Sequence, residues 1–346
     1  MDPHPVTAPK TTEPARQAPA AVGDLFGPIQ PALQRIEQRL QAELTSQDAR
    51  VDEVVRHGYR LGGKRLRPAL LLLAGEAVGE LTDAHELLGV VVEMIHTATL
   101  VHDDVLDEAS LRRHVDTVNA RWGNERSVLL GDFLFSHAFY LAATVRSDFG
   151  DAATACQLIG RSTNRVCHGE LRQTLSEGDL SLSSADYYDI IDGKTAELCA
   201  CCCRLGALFS GASAEVADAL ESFGRNLGMA FQIADDLLDL TGDEATTGKT
   251  TGADLAKQKM TLPLIYTRDS LVNGPRVSLE EWLQNPSTES RAEVAKLVEA
   301  VGGFAFAQKT AIEYANRAVA DLAVLEESEL KQSLATLAFF ASRRDA

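Results

Sequence analysis

AHELLGVVVEMIHTATLVHDDVLDE, residues 84–108, joins a long apolar segment to a cluster of acids. Its apolar residues recur at helical spacing and run well past the length of a strand, so it reads as one long helix too apolar to lie on a surface. Asp103, Asp104 and Asp107 close it, and Arg112 and Arg113 follow. A second stretch, FQIADDLLDLTGDEATTGK, residues 231–249, repeats the pattern at Asp235, Asp236 and Asp239. Working outward, PALQRIEQRLQAEL, RPALLLLAGEAVGE, SVLLGDFLFSHAFYLAATV and ESELKQSLATLAFFASRR are helical by the same test. Strand-type alternation bounded by turn residues is missing. Breaks fall at Gly62-Gly63, Thr241-Gly242, Asn273-Gly274-Pro275 and Gly302-Gly303. The reading is an all-α domain over residues 24–346, preceded by a disordered tail, 1–23, that holds five of the eleven prolines.

Composition narrows the function. With 33 basic and 50 acidic residues the net charge is −17, which disfavours nucleic acid as a partner. An anionic ligand would need local basic groups or metal ions. No run of 18 uninterrupted apolar residues marks a membrane span. Four of the six cysteines, Cys199, Cys201, Cys202 and Cys203, crowd one helical run with no metal-type spacing. They read as small apolar packing residues in a reducing, cytoplasmic setting.

Helical geometry makes the acids a set. With Asp103 at zero, Asp104 falls at about 100° and Asp107 at about 40°, so the three are expected on one face, and likewise Asp235, Asp236 and Asp239. Carboxylates this close repel unless a cation intervenes. Oxygen-only ligands favour hard cations, and Mg²⁺ completes its shell with water and substrate phosphate. One such motif is weak evidence, since exposed acidic turns are common. Two copies, each beside apolar residues, indicate a metal–polyphosphate site. Basic groups complete it: Lys64 and Arg67 in GGKRLRP, then Arg112 and Arg113, Lys194 in DGKTAEL, Lys249 in TTGKTTG and Lys259 in KQKMTLP. Arginine suits bidentate phosphate contact and lysine supplies a point charge.

In order, GGKRLRP, HTATLVHDDVLDEASLRR, GKTAEL, and FQIADDLLDLTGD with GKTTGADLAKQKMTLP resemble the all-trans polyprenyl diphosphate synthases, the head-to-tail isoprenyl chain elongases. The resemblance spans roughly residues 28–343. It implies a homodimer of helical subunits around a central cavity, with three Mg²⁺ ions bridging an allylic diphosphate to the two acidic motifs. Asp103 and Asp107 would hold metal from one wall, with Asp104 in support. Asp235 would lead the other, with Asp236 and Asp239 behind it. Arg112, Lys194, Lys249 and Lys259 would contact the allylic diphosphate. Lys64, Arg67, His96 and Arg113 would hold isopentenyl diphosphate. His96 lies seven residues before Asp103, about 20° away on the same helix face. Thr195 and Gln232 would offer oxygen dipoles to the allylic cation. The chain departs from the family at RRHVDTVN: the family usually has Gly after the double arginine, and a positive φ there costs more for His114.

By the same resemblance, short-chain relatives carry aromatics four or five residues before the first aspartate. Here those positions are the small Thr99 and Ala98. The segment LLGDFLFSHAFYL offers Phe133, Phe135 and Phe139 as tunnel floors. At about 5.4 Å per helical turn, the open tunnel predicts a product of about six to ten isoprene units, such as a quinone side chain requires. So apolar a product would leave through a transient membrane contact. A shorter-chain synthase (three or four units) and a noncatalytic subunit of a heteromeric synthase are the alternatives. A terpene cyclase fits less well, because such enzymes lack GGKRLRP and carry an N-S-E type second motif.

Overall fold

The computed structural model describes residues 26–63, 65–241 and 252–343. The tail expected over 1–23, Lys64 and Lys249 lie outside the described residues. The elements are α1 (Gln30–Glu43), α2 (Ala49–Arg60), α3 (Leu66–Glu76), α4 (Asp83–Leu106), β1 (Leu111–Arg112), β2 (Val115–Asp116), α5 (Val118–Trp122), α6 (Asn124–Ala142), α7 (Ala152–Leu175) and α8 (Ser184–Ile191). A π-turn (Asp192–Ala196) leads into α9 (Glu197–Phe209) and α10 (Ala214–Thr241). Then follow α11 (Ala253–Ala256), α12 (Leu262–Ser270), α13 (Gly274–Gln284), α14 (Thr288–Ala300), α15 (Gly303–Asp321) and α16 (Glu329–Ser342).

The opening stretch forms α4, buried along nearly all its length. Its side chains from Val90 to Val92, together with Met94, Ile95 and Ala98, are sealed from water, which explains an apolar pattern that runs round the helix instead of down one stripe. It is long and apolar enough to cross a membrane, yet it is a core helix packed along α6. At its N-terminus the His85 ring returns to the Thr82 N–H at 3.0 Å. At its C-terminus Asp107 caps the helix and Glu108 turns left-handed, with φ 49°.

Two apolar cores share α10. One gathers α1, α3, α4, α6, α9, α16 and the first half of α10. The other gathers α8, α12 to α15 and the second half, through Met229, Ile233, Leu237 and Leu240. The cysteine run faces the first core: Cys199, Cys201, Cys202 and Cys203 are all buried and free. Burial pushes the Cys201 thiol up to about 12, so these sulfurs pack as small apolar groups.

Among the described residues, the one named sheet is the hairpin β1–β2, pairing Leu111 with Asp116 and Arg112 with Val115. The helical periods did not announce it. Its two-residue turn is Arg113-His114, with φ 51° and 63°. Both central residues are left-handed, the requirement of a type I′ hairpin that Asn-Gly normally meets. The positive φ expected at His114 is therefore present, held without glycine.

Candidate active site

The hairpin returns the chain toward the end of α4, and there the three aspartates separate. Asp104 does not share a face with the other two. It is buried and takes the Arg112 guanidinium on both oxygens, Nε at 2.9 and 3.2 Å and Nη2 at 2.7 Å. The rotation of about 100° per residue carries it off the cleft toward the hairpin. Asp104 is thus an anchor that fixes Arg112 and leaves Nη1 for an incoming anion. Removing one partner of such a buried pair costs about 3 kcal/mol.

Asp103 and Asp107 line the cleft. Burial raises the Asp103 carboxyl to about 6, against the pull of Lys194. Burial would raise Asp107 also, but a bond from Lys257 and the charge of Lys259 hold it below the usual carboxylate range. Lys194 and Thr195 project from the π-turn, a feature common at functional sites because its extra residue rotates the side chains that follow. The turn lies hard against α7: a Cβ on Gly169 would come within 2.4 Å of the Lys194 nitrogen. Lys194 Nζ meets Glu170 at 2.6 Å. With its amide oxygen turned inward, Gln173 accepts from Lys194 at 3.0 Å and Lys259 at 3.2 Å.

The second motif repeats the division of labour. Asp235 lies on the opposite wall, close enough to Asp254 that its charge helps to raise that carboxyl. Asp236 is buried, accepting from Tyr187 at 2.6 Å and Gln232 at 2.8 Å. Gln232 in turn accepts from the Thr195 hydroxyl at 2.7 Å. The relay turns the Thr195 oxygen lone pairs away from Gln232. Asp239 accepts backbone N–H bonds from Gly252, Ala253 and Asp254 at 3.1 to 3.2 Å and so ties α11 to α10. Burial, then Asp239, raises Asp254 to about 6. Lys259 lies 3.8 Å from Asp254 and 4.0 Å from Asp107, bridging the walls. Its side chain is only 14% exposed, so it is no solvated surface charge.

A separate cationic pocket lies two turns back on α4. Arg67 Nη1 donates to His96 Nε2 at 2.9 Å, which leaves the ring proton on Nδ1. Burial and then Arg67, Arg112, Arg113 and Arg65 drive the His96 pKa well below its usual value, so the ring is neutral. Arg67 Nε is buried with no partner, an orphan donor suited to an anionic ligand. Arg113 bonds the Gly62 carbonyl, and a Cβ on Gly63 would come within 2.6 Å of its guanidinium.

The residues expected to line a tunnel divide. Ala98 is buried on α4 beside Thr99, and Phe135 of α6 lies half-buried against His102 at 5.9 Å, one turn further on. Phe133 is 38% exposed and stacks on His137, which reaches Glu43 on α1. It lies apart from Ala98, on an open face of α6, because two residues along a helix turn the side chain by about 200°.

A family model described as Polyprenyl synthetase matches residues 48–301. The chain belongs to the polyprenyl synthetase family. It is therefore a prenyltransferase, a trans-polyprenyl diphosphate synthase with the helical fold of that family. It is 35% identical to an all-trans-nonaprenyl-diphosphate synthase (geranyl-diphosphate specific) of Rhodobacter capsulatus, over 93% of this chain and 97% of that one. It is 36% identical to a short chain isoprenyl diphosphate synthase of Methanothermobacter thermautotrophicus, over 84% and 89%. The crystal structure of a Caulobacter crescentus polyprenyl synthase complexed with calcium and isoprenyl diphosphate superposes with a TM-score of 0.87 at 33% identity, covering 95% of this chain and 100% of that one.

Members of this family use Mg²⁺, and the acids that face the cleft fit it: Asp103, Asp107 and Asp235 offer carboxylate oxygens. Among the described residues no three such groups converge on one point. That spacing suits an ion that takes one or two carboxylates and fills its shell with substrate phosphate and water. Glu170, Gln173, Tyr187, Asp254 and Lys257 complete the site and were absent from the sequence reading. Each is a single polar residue in an ordinary helical context. The lysine two residues before Lys259 was the one available signal.

Proposed function

We propose that this chain adds isopentenyl diphosphate head-to-tail to an allylic prenyl diphosphate, with three Mg²⁺ ions as cofactor. The observation that carries the reading is the pair of unlike pockets served by α4: acids with lysines at Asp103 and Asp107, arginines with a neutral histidine at His96. Asp103, Asp107 and Asp235 hold the metal. Mg²⁺ neutralises the diphosphate leaving group when bound.

Arg112 Nη1, Lys194 and Lys259 bind the allylic diphosphate, and the family motif adds Lys249 to that set. Arg67, His96 and Arg113, with Lys64, bind the diphosphate of isopentenyl diphosphate. The orphan Nε of Arg67 and the Nδ1 proton of His96 supply its hydrogen bonds. The allylic C–O bond breaks and its electron pair leaves with diphosphate. The isopentenyl double bond then attacks the allylic carbon, and the departed diphosphate takes the proton lost from the adduct. Thr195 and Gln232 turn oxygen dipoles toward the positive charge, oriented by Asp236 and Tyr187.

Small residues at Ala98 and Thr99, where short-chain relatives carry aromatics, leave room beside α4 for a longer chain. This supports a product of about six to ten units, allowing about one unit per helical turn. A homodimer is supported by α6, where Leu129, Phe133 and Tyr140 share one exposed face, 66%, 38% and 65% exposed. Six free cysteines suit a reducing compartment such as the cytoplasm. The catalytic domain is assigned to residues 24–346.

The test is elongation from farnesyl diphosphate with radiolabelled isopentenyl diphosphate and Mg²⁺, resolved by length. Products of about six to ten units from wild type, absent with Asp103→Ala and shortened by Ala98→Phe, are expected. A wild-type product of three or four units would overturn the length. No incorporation with several primers would overturn catalysis by the chain alone.

A further inference from the structure

Lys257 makes a direct contact between the two acidic walls. It follows α11 as its C-cap, and its Nζ bonds Asp107 Oδ1 from 150 residues further along the chain. Lys259 stands 4.0 Å from the same oxygen but is shared with Asp254. Asp103, one turn back, has no such bond among the described residues. Lys194 acts on it only through charge while bonded to Glu170 at 2.6 Å. The two carboxylates facing the cleft from α4 are therefore unequal. Asp107 is already compensated by an ammonium group, whereas Asp103 is pushed up to about 6 by burial.

An ammonium group and a divalent cation compete for one carboxylate oxygen. Lysine suits a reversible role: its ammonium is a strongly hydrated point charge on a flexible stem. The Lys257 side chain is 26% exposed, so water can solvate it once it lets go. Its backbone, by contrast, is held. α11 hangs from Asp239 by three N–H bonds, so Lys257 stays tethered beside the cleft after release. The contact thereby links Asp107, the last acid of one motif, to Asp239, the last acid of the other.

We propose that Lys257 is an internal counter-cation of Asp107, which holds that metal-facing oxygen until a divalent cation displaces it. The proposal rests on the metal-dependent function given above, and makes Lys257 a residue that sets metal affinity.

The experiment is Mn²⁺ binding to the full chain without diphosphate, followed by the electron paramagnetic resonance of the free ion, with Mg²⁺ as competitor. Wild type, Lys257→Gln, Lys257→Arg and Asp103→Ala are compared, with helicity checked by circular dichroism. Removing one competing charge beside the oxygen is expected to tighten Mn²⁺ binding about tenfold in Lys257→Gln. Lys257→Arg keeps the charge and should bind no tighter than wild type. Equal or weaker binding by Lys257→Gln overturns the proposal, since a merely structural lysine would give that result. Equal binding by wild type and Asp103→Ala would overturn the metal reading itself, which keeps the two failures apart.

Discussion

The two D-D-x-x-D motifs have the same spacing but different surroundings. In both, the first aspartate faces the cleft and the second turns into the protein. In the first motif the buried Asp104 holds a guanidinium, and Arg112 gains a fixed orientation. In the second the buried Asp236 holds a hydroxyl and an amide, and the relay through Gln232 orients Thr195. The last acids differ too. Asp107 is bonded by a lysine side chain that can be exchanged, and Asp239 by backbone N–H groups that cannot leave without moving α11. One motif therefore manages charge, and the other manages dipoles and the position of a helix.

The sharpest challenge to this comparison is the cleft pair. Asp103→Ala and Asp235→Ala are each expected to lower kcat by at least about 10³-fold with helicity unchanged, as loss of metal-assisted leaving-group departure requires. Single-turnover assays with circular dichroism check this. Next come the buried pair. Asp104→Ala strands the Arg112 charge and should cost about 3 kcal/mol, while Asp236→Asn removes a neutral-donor acceptor and should cost about 1 kcal/mol. Urea denaturation decides; equal costs would break the contrast between charge and dipole.

Tyr187→Phe tests the relay. It should cost about 1 kcal/mol and lower kcat several-fold with little change in the KM for isopentenyl diphosphate. For pH dependence, His96 is held neutral with its pKa well below the ordinary histidine value near 6.5. The unfolded chain therefore binds the proton more readily. The stability from this group is present above about 6.5 and declines as pH falls toward its depressed folded value. Denaturation of wild type and His96→Gln at descending pH reads this as a shallower slope in the variant. The smallest effect is at the hairpin. His114→Gly relieves a left-handed residue and should stabilise by about 0.5–1 kcal/mol, seen as a modest rise in Tm. No rise would mean that Arg113 alone carries the strain of the turn.

Much of this was legible in the chain. The long apolar stretch of α4 read as a buried helix, and the doubled acid motif with its ordered basic motifs led to the family. The register of individual side chains was not legible. Spacing put Asp104 on the acidic face, yet its neighbour in space is an arginine on a hairpin that helical periodicity does not reveal. Phe133 and Phe135 looked equivalent in sequence and lie in different environments. Lys259 was legible as a phosphate contact, but its place between Asp107 and Asp254 was not.

The sequence by itself determined the helices, the family and the chemical inventory: carboxylates for metal, lysines and arginines for diphosphate, small residues at Ala98 and Thr99. These follow from local periodicity and from motifs a few residues long. Only the tertiary structure decided the partners. It joined Asp107 to Lys257, Asp236 to Tyr187 and Arg67 to His96, across 150, 49 and 29 positions of sequence. The reason is physical. A buried charge or dipole must find a partner to offset its lost hydration, and which one lies within reach is settled by how the helices pack.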